Sequence, residues 1–230
     1  MPSRPLFDDR KSAGQALAYR LARLRLTDPV ILAMPRGGVP IAAEIARVLH
    51  APVELVFVRK IGVPTQPELA AAAVVDGSDA EIIANEDVMA QAGLTHQNIR
   101  ELARPELAEI NRRRRLYLEG RRRIPVEGRE LILVDDGIAT GASVRAALAA
   151  LRRKRPRRLI LAVPIAPVEA IEALESTVDV LICLASPEPF DAIGRHYRDF
   201  HQVPDDEVVR CLDEAAEFAS LPGAAPSAGQ

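Results

Sequence analysis

The chain has 230 residues, a formal net charge of −2 and 48% apolar residues, which is enough for one α/β domain with additions and a sizeable core. Aromatic residues make up only 3% and Trp is absent, so we expect a core of Ala, Leu, Ile and Val. The small net charge gives no general attraction to nucleic acid or membrane, no apolar run reaches the length of a membrane span, and two cysteines without metal-ligand spacing indicate a reducing, cytoplasmic setting.

The first 49 residues predict a leading helix and then a strand–loop–helix unit. Leucines at helical spacing indicate a helix within Asp8–Leu26, with Asp8 or Asp9 as its cap. Pro29–Met34 is typical of a buried strand, and a helix follows at Ile41–Leu49. The turn between them can bind an anion through its backbone N–H groups, although an ordinary glycine-rich turn is the alternative. This turn consists of Arg36, Gly37 and Gly38.

A third strand, Pro52–Val58, leads into two adjacent cations, Arg59 and Lys60. Two cations that open a Gly- and Pro-containing loop at a strand end fit a mobile lid over an anionic substrate. A surface pair facing solvent explains them equally well. Both interpretations stay open on the sequence alone.

The region after the third strand predicts a hairpin and two helices. Leu69–Val75 and Ala80–Ala84 flank a turn and read as paired strands. Helices are expected at Asn85–Ala92 and, capped by Thr95, at Gln97–Glu119. Arginine-rich runs in and after the second helix favour a solvated face with helical ion pairs over a subunit contact or an RNA contact. These runs are Arg112–Arg115 and Arg121–Arg123.

The stretch Leu131–Ser143 has the layout of a phosphate-binding site. Leu131–Val134 is typical of a buried strand, Asp135 and Asp136 follow it, and a loop of small residues leads into a helix at Val144–Leu151. Backbone N–H groups at a helix start are unpaired, and the helix dipole favours an anion there. We therefore expect a phosphate group at this loop.

The side chains of this loop suit that role. Gly141 and Ala142 allow close approach of a phosphate to the backbone, and Thr140 and Ser143 add hydroxyl donors. The two carboxylates suit hydroxyls, as on a ribose, or a magnesium ion and its waters. An ordinary strand-to-helix turn with two surface acids is the alternative.

The last third of the chain continues a repeated strand–helix pattern. Arg158–Ile165 and Val178–Leu184 predict buried strands around a helix at Pro167–Leu174, and Glu207–Phe218 predicts a final helix. This repetition requires a parallel sheet covered on both faces. Ligands then bind beyond the carboxyl ends of the strands, where the loops described above can converge. Leu221–Gln230 predicts a disordered tail.

The stretch Leu131–Ser143 resembles the phosphoribosyl pyrophosphate (PRPP) signature of the type I phosphoribosyltransferases: a hydrophobic strand, two acids and a T-G-x-S/T loop. The resemblance implies an α/β fold of that type, a central mostly parallel sheet with helices on both faces, a flexible lid and a small C-terminal hood. It also implies transfer of ribose 5-phosphate from PRPP to a nucleobase-like nitrogen with release of pyrophosphate. Mg²⁺ is the implied cofactor, and a homodimer is the implied assembly.

The resemblance also implies roles for individual residues. Asp135 and Asp136 are expected to hold the ribose hydroxyls and, through water, Mg²⁺. The 5-phosphate is expected at the loop formed by Ala139, Thr140, Gly141, Ala142 and Ser143.

Three further elements match parts of the family pattern. The turn of Arg36, Gly37 and Gly38 matches the pyrophosphate loop, and we expect a cis peptide bond between Pro35 and Arg36 there. Arg59 and Lys60 match the basic pair that meets the departing pyrophosphate. Phe190 is the aromatic residue nearest to the position of the ring that stacks on the base, although packing against the sheet explains it equally well.

The expected organisation is an N-terminal helix within 1–28, a core at 29–185 and a hood at 186–220, followed by the tail. Within the core, the lid is expected at 59–84 and a helical insertion at 85–120.

The acceptor stays open, because Ala139 departs from the hypoxanthine/guanine type, which carries an Asp at that position of the loop, and is similar to adenine-type loops. A non-catalytic PRPP sensor that binds RNA or DNA is the main alternative. A nucleotide-binding α/β domain that uses Asp135 and Asp136 for magnesium is another.

Overall fold

The structure is a computed structural model that describes residues 5–76 and 80–220, with no description of the side chains of residues 67 and 68. Its strands are β1 Pro29–Ala33, β2 Val53–Leu55, β3 Phe57–Val63, β4 Gln66–Asp76, β5 Ala80–Ala84, β6 Glu130–Val134, β7 Arg158–Ile165 and β8 Val180–Ala185. Its helices are α1 Arg10–Ala22, α2 Gly38–Leu49, α3 Glu86–Gln91, α4 His96–Leu118, α5 Ala142–Arg153, α6 Val168–Glu175 and α7 Asp205–Ser220. The turn predicted at 77–79 and the tail predicted at 221–230 lie outside the described residues.

Five parallel strands form the central sheet, in the order β2-β1-β6-β7-β8. The register places Val30 beside Leu131, and Leu131 beside Leu159. Strands β6 and β7 lie in the middle of the sheet, and their apolar side chains are buried on both faces. This confirms the predicted parallel sheet, whose two hydrophobic faces are covered by helices.

A second sheet contains three antiparallel strands in the order β3-β4-β5. The predicted hairpin is confirmed in β4 and β5. The prediction that Arg59 and Lys60 open a loop was wrong, because both lie inside β3, where they pair with Val74 and Ala73. The predicted third strand is in fact two strands: Val56 separates β2 from β3, so the chain passes there from the central sheet to the second one.

The helix starts follow the expected capping chemistry. Asp9 caps α1 in a capping box with Ser12, and Thr95 caps α4 in the same way with Asn98. Helix α2 begins at Gly38, three residues before the predicted start. No helix in the described part of the chain has both the length and the apolar character needed to cross a membrane.

The segment before α1 and the segment between β8 and α7 form a small layer above the carboxyl edge of the central sheet. The second of these segments contains a short 3₁₀ turn, Ile193–His196. The backbone N–H groups of Leu6 and Phe7 donate to the carbonyl of His196, and Phe7 forms a parallel bridge with Tyr197. We call residues 5–9 together with 187–201 the hood layer.

Candidate functional site

The turn after β1 packs directly on the end of β6, because these strands are neighbours in the sheet. Met34 donates its backbone N–H to the carbonyl of Val134 at 2.9 Å. A Cβ atom on Gly38 would lie 2.7 Å from that same carbonyl, and one on Gly37 would lie 2.0 Å from Oδ2 of Asp136. Both positions therefore require glycine. The cis peptide bond predicted before Arg36 is present.

The loop before α5 presents an open helix N-terminus. Gly141 is the N-cap, with φ of +75° and no side-chain cap, and the first helical bond runs from Arg145 N–H to its carbonyl at 2.8 Å. Thr140 and Ser143 are exposed. Their hydroxyls make no hydrogen bond to any described residue. Backbone N–H groups and two hydroxyls are therefore available to an anion.

The acidic pair is asymmetric. Oδ2 of Asp136 accepts from Nε of Arg10 at 2.9 Å, and it also lies 2.8 Å from the Nη2 atom of Arg10. The carbonyl of Asp136 accepts from the phenol of Tyr197 at 2.7 Å. Asp135 instead accepts the backbone N–H of Asp136 at 2.8 Å, and both residues are partly exposed. The two carboxylates thus have different surroundings, although they are adjacent in sequence.

Burial raises the pKa of both carboxyls. The charge of Asp136 raises the pKa of Asp135 further. The guanidinium of Arg10 opposes the shift at Asp136. Two carboxyls this close make simultaneous ionisation costly, and a cation or hydroxyl donors at Asp135 would favour its charged form.

Lys60 and Arg59 project from opposite faces of β3, as successive strand residues do. Lys60 lines a pocket of about 470 Å³ between the second sheet and α5, together with Thr140 and Ser143. Arg59 instead pairs with Glu106 on α4 at 2.6 Å. The structure therefore brings Lys60 to the loop before α5 and places Arg59 on the other side of the sheet.

Arg36 points from the glycine turn toward the start of α7. Its Nη1 atom lies 3.5 Å from Oδ1 of Asp205, which also accepts the phenol of Tyr117. Burial, followed by this hydrogen bond, raises the pKa of Tyr117 to about 12. Arg36 thus lies beside Gly37 and Gly38, but its guanidinium is already shared with an exposed carboxylate.

Phe190 and Ala139 border one open cleft of about 710 Å³. Residues of the α6 N-terminus and of the hood layer form its walls: Pro167, Val168, Glu169, Pro187, Glu188 and Pro189. Phe190 also stacks on His196, with ring centroids 5.7 Å apart. His196 is 4% exposed, its Nε2 has no hydrogen-bond partner among the described residues, and burial lowers its pKa.

The Arg-rich runs are largely matched by acidic residues of the same chain. Arg112 and Arg113 both pair with Glu109, which confirms the predicted helical ion pairs. Their hydrogen bonds lower the pKa of Glu109 to about 2. Arg114 pairs with the buried Asp76 at 2.6 Å. These charges stabilise the fold and reduce the basic surface available to nucleic acid.

Two residues of this region carry no local signal in the sequence. Arg10 is 7% exposed and reaches Asp136, 126 positions later in the chain. Tyr197 is 4% exposed and supports the same residue from the hood layer, and burial raises its pKa. Their roles follow from contacts with Asp136, which is distant from both of them in the sequence.

Three comparisons with known proteins agree. The family model described as "Phosphoribosyl transferase domain" matches residues 8–195. A Mycobacterium tuberculosis H37Rv protein named "Putative phosphoribosyl transferase Rv0571c" is 44% identical over 223 residues, which is 97% of this chain and 50% of that protein. The sequence from strain CDC 1551 matches with the same identity and coverage. The chain spans about half the length of both curated relatives. The crystal structure of TT1426 from Thermus thermophilus has 40% identity and a TM-score of 0.76, covering 93% of this chain and 99% of that one.

Proposed function

Because the chain belongs to the phosphoribosyl transferase family, we propose that it transfers ribose 5-phosphate from PRPP to a nitrogen atom of an acceptor and releases pyrophosphate. The observation that supports this most is the open N-terminus of α5. It follows β6 and the acidic pair directly and shares the carboxyl edge of the sheet with the glycine turn. This arrangement offers separate positions for a phosphate, a ribose and a pyrophosphate.

The 5-phosphate binds the loop before α5 in this proposal. The first-turn N–H groups of α5 donate to its oxygens, and the helix dipole favours its negative charge. The hydroxyls of Thr140 and Ser143 add two donors, since neither makes a hydrogen bond to a described residue. Gly141 gives the left-handed turn that places these groups together.

The pyrophosphate binds between the glycine turn and Lys60. Helix α2 begins in that turn at Gly38, and the N–H groups of Gly38 and Val39 already donate to the carbonyls of Met34 and Arg36. Side-chain charge, rather than these N–H groups, therefore holds the pyrophosphate in this proposal. Arg36 and Lys60 supply positive charge as pyrophosphate leaves. Arg36 exchanges Asp205, its exposed partner, for the more highly charged ligand.

The ribose hydroxyls bind the acidic pair, in which both residues are partly exposed and only Asp136 is paired with Arg10 among the described residues. Hydroxyl donors favour the ionised form of Asp135, whose pKa is raised in the free protein. A carboxylate beside the ribose also stabilises the positive charge that develops as the bond to pyrophosphate breaks. Positioning and electrostatics then account for most of the catalysis.

Mg²⁺ is proposed to bind with PRPP rather than in a site of protein ligands alone. No cluster of three or more His, Cys, Asp or Glu side chains suited to a metal ion occurs in the described residues. Mg²⁺ commonly uses one or two carboxylates together with substrate phosphates and water, and Asp135 fits that requirement. When bound, the ion supplies charge neutralisation to the leaving group.

The acceptor is proposed to bind in the cleft between Ala139 and Phe190. Two exposed carboxylates, Glu169 and Glu188, stand in its wall, and none of the described residues that line it is basic. This charge favours a neutral or amino-bearing ring over an acceptor that carries a carboxylate. Either glutamate is placed to accept the proton that the attacking nitrogen loses.

Calorimetric titration with PRPP, ATP and GTP in Mg²⁺ buffer tests the proposal against an ordinary nucleotide site. PRPP should bind most tightly and should be displaced by pyrophosphate together with ribose 5-phosphate. If ATP or GTP outcompetes PRPP, the phosphoribosyl site is wrong.

A further inference from the structure

Arg10 joins three separate parts of the molecule around a single guanidinium group. Its Nε and Nη2 atoms contact Oδ2 of Asp136, and its Nη1 donates to the carbonyl of His201 at 2.8 Å. Its guanidinium carbon lies 3.9 Å from the centre of the Phe200 ring. Arg10 is therefore held by an ion pair, a backbone carbonyl and a cation–π contact in a site that is almost closed to water.

Asp136 is held through its Oδ2 atom and its backbone. Its side chain is 14% exposed, and its Oδ2 lies 2.0 Å from the position that a Cβ atom on Gly37 would take. Its backbone N–H donates to Asp135 and its carbonyl accepts from Tyr197. A carboxylate held this way is not free to turn toward a ligand without leaving Arg10 buried and unpaired, which is costly.

Asp135 has different partners. Its Oδ1 accepts the neighbouring backbone N–H, and its side chain interacts with that of Asp136, but it forms no ion pair with a cation of the described chain. The residue is partly exposed at the carboxyl end of β6, next to the open start of α5. It keeps lone pairs for two hydroxyl donors.

We infer that the acidic pair is divided between two tasks: Asp135 binds the ribose hydroxyls, and Asp136 is a positioning residue whose charge is neutralised by Arg10. This inference rests on the proposed function. Arg10 becomes a second positioning residue, since it holds Asp136 over the glycine turn. It also ties the hood layer to the site through Phe200 and His201.

Calorimetric measurement of PRPP affinity in Mg²⁺ buffer, on a set of substituted proteins, distinguishes ligand binding by Asp135 from positioning by Asp136. Asp135→Asn should weaken binding by about 10- to 150-fold, the range expected when hydrogen bonds to a charged group are lost. Asp136→Asn should cost less than Asp135→Asn. Arg10→Met should weaken binding at least about tenfold, because the uncompensated carboxylate is then free to move and repels the anionic ligand. Combining Arg10→Met with Asp136→Asn should recover most of that loss.

Lys11→Met is the matched control on the same helix. Its side chain is 67% exposed and lies 3.8 Å from Glu44, away from the site, so PRPP affinity should not change. Thermal unfolding of each variant shows which are folded. Where Arg10→Met does not fold, Arg10→Lys replaces it. A single ammonium group does not span both Asp136 and the carbonyl of His201, so affinity should fall in the same direction by a smaller factor.

The outcomes are distinct. If the double variant binds PRPP as weakly as Asp135→Asn, Asp136 is itself a ligand and the division is wrong. If a folded Arg10 variant binds PRPP as tightly as the wild type, Arg10 has no positioning role. If Asp135→Asn binds normally, the fault lies in the proposed PRPP site and not in the division of the pair.

Discussion

Ser143→Ala is expected to weaken PRPP binding without changing the stability of the protein. Ser143 is the second residue of α5, it is exposed, and its hydroxyl makes no hydrogen bond within the described chain. Alanine also has a slightly higher helix propensity than serine. The free energy of unfolding should therefore stay within about 0.5 kcal/mol of the wild type, as is usual for a surface substitution.

The same substitution should weaken PRPP binding. A hydroxyl that donates to a phosphate oxygen contributes about 1–3 kcal/mol, and its loss raises the Kd by about 5- to 150-fold. Calorimetry with PRPP measures the affinity, and urea denaturation measures the stability. Thr95→Ala is the reverse control: its hydroxyl caps α4 away from the site, so it should lose about 1 kcal/mol of stability and keep its PRPP affinity.

A Ser143→Ala variant that binds PRPP as tightly as the wild type would refute the phosphate assignment at this hydroxyl. A variant that loses stability and affinity together would instead show that Ser143 supports the fold. Only a loss of affinity at constant stability agrees with the structure.

Three further results are expected. Lys60→Ala should lower kcat more than Arg59→Ala does in steady-state assays, because Lys60 lines the phosphate pocket and Arg59 faces α4; equal losses would contradict this difference. Asp76→Asn breaks a buried ion pair with Arg114 and should cost about 3–5 kcal/mol in urea denaturation, whereas a loss under about 1 kcal/mol is typical of a surface pair. Burial and a hydrogen bond raise the pKa of Tyr117 to about 12, so the folded state keeps this proton longer than the unfolded state does. The resulting stability, about 2–3 kcal/mol, is present below roughly pH 10 and lost as pH rises toward 12; urea denaturation across this range should show a smaller decline for Tyr117→Phe.

The central sheet and the strand–loop–helix unit around the acidic pair could be predicted because their signals are local. Strands β6 and β7 are short apolar runs buried on both faces, and each is followed by a helix, which requires parallel pairing. The predicted bounds of β7, Arg158–Ile165, agree with the structure at both ends. The caps at Asp9 and Thr95 were predictable for the same reason, since capping depends on residues three positions apart.

The second sheet was predicted only in part. Its outer hairpin is visible in the sequence as two short apolar runs on either side of a Gly-containing segment. The strand that carries Arg59 and Lys60 instead looks like the end of the preceding strand. A single residue, Val56, separates β2 from β3. Pairing with β4 makes β3 a separate strand, and the local sequence pattern does not indicate this pairing.

The contacts of Asp136 could not be predicted. They depend on Arg10, in the first helix, and on Tyr197, in the segment before the last helix, and both reach Asp136 through long-range packing. The sequence identified both carboxylates, but their different surroundings follow from packing between residues more than 60 positions apart. Local motifs thus identify the candidate residues, and long-range contacts determine the environment of each of them.

Acceptor-dependent release of pyrophosphate from PRPP tests the central claim most directly. The purified protein, PRPP and Mg²⁺ are incubated with neutral, amino-bearing and carboxylate-bearing nitrogen heterocycles, and pyrophosphate is measured for each. The account predicts release that requires one acceptor, drawn from the neutral or amino-bearing group. Tight PRPP binding without release for any acceptor would contradict the transferase assignment and favour a PRPP sensor, and release with a carboxylate-bearing acceptor would contradict the assignment of the acidic cleft.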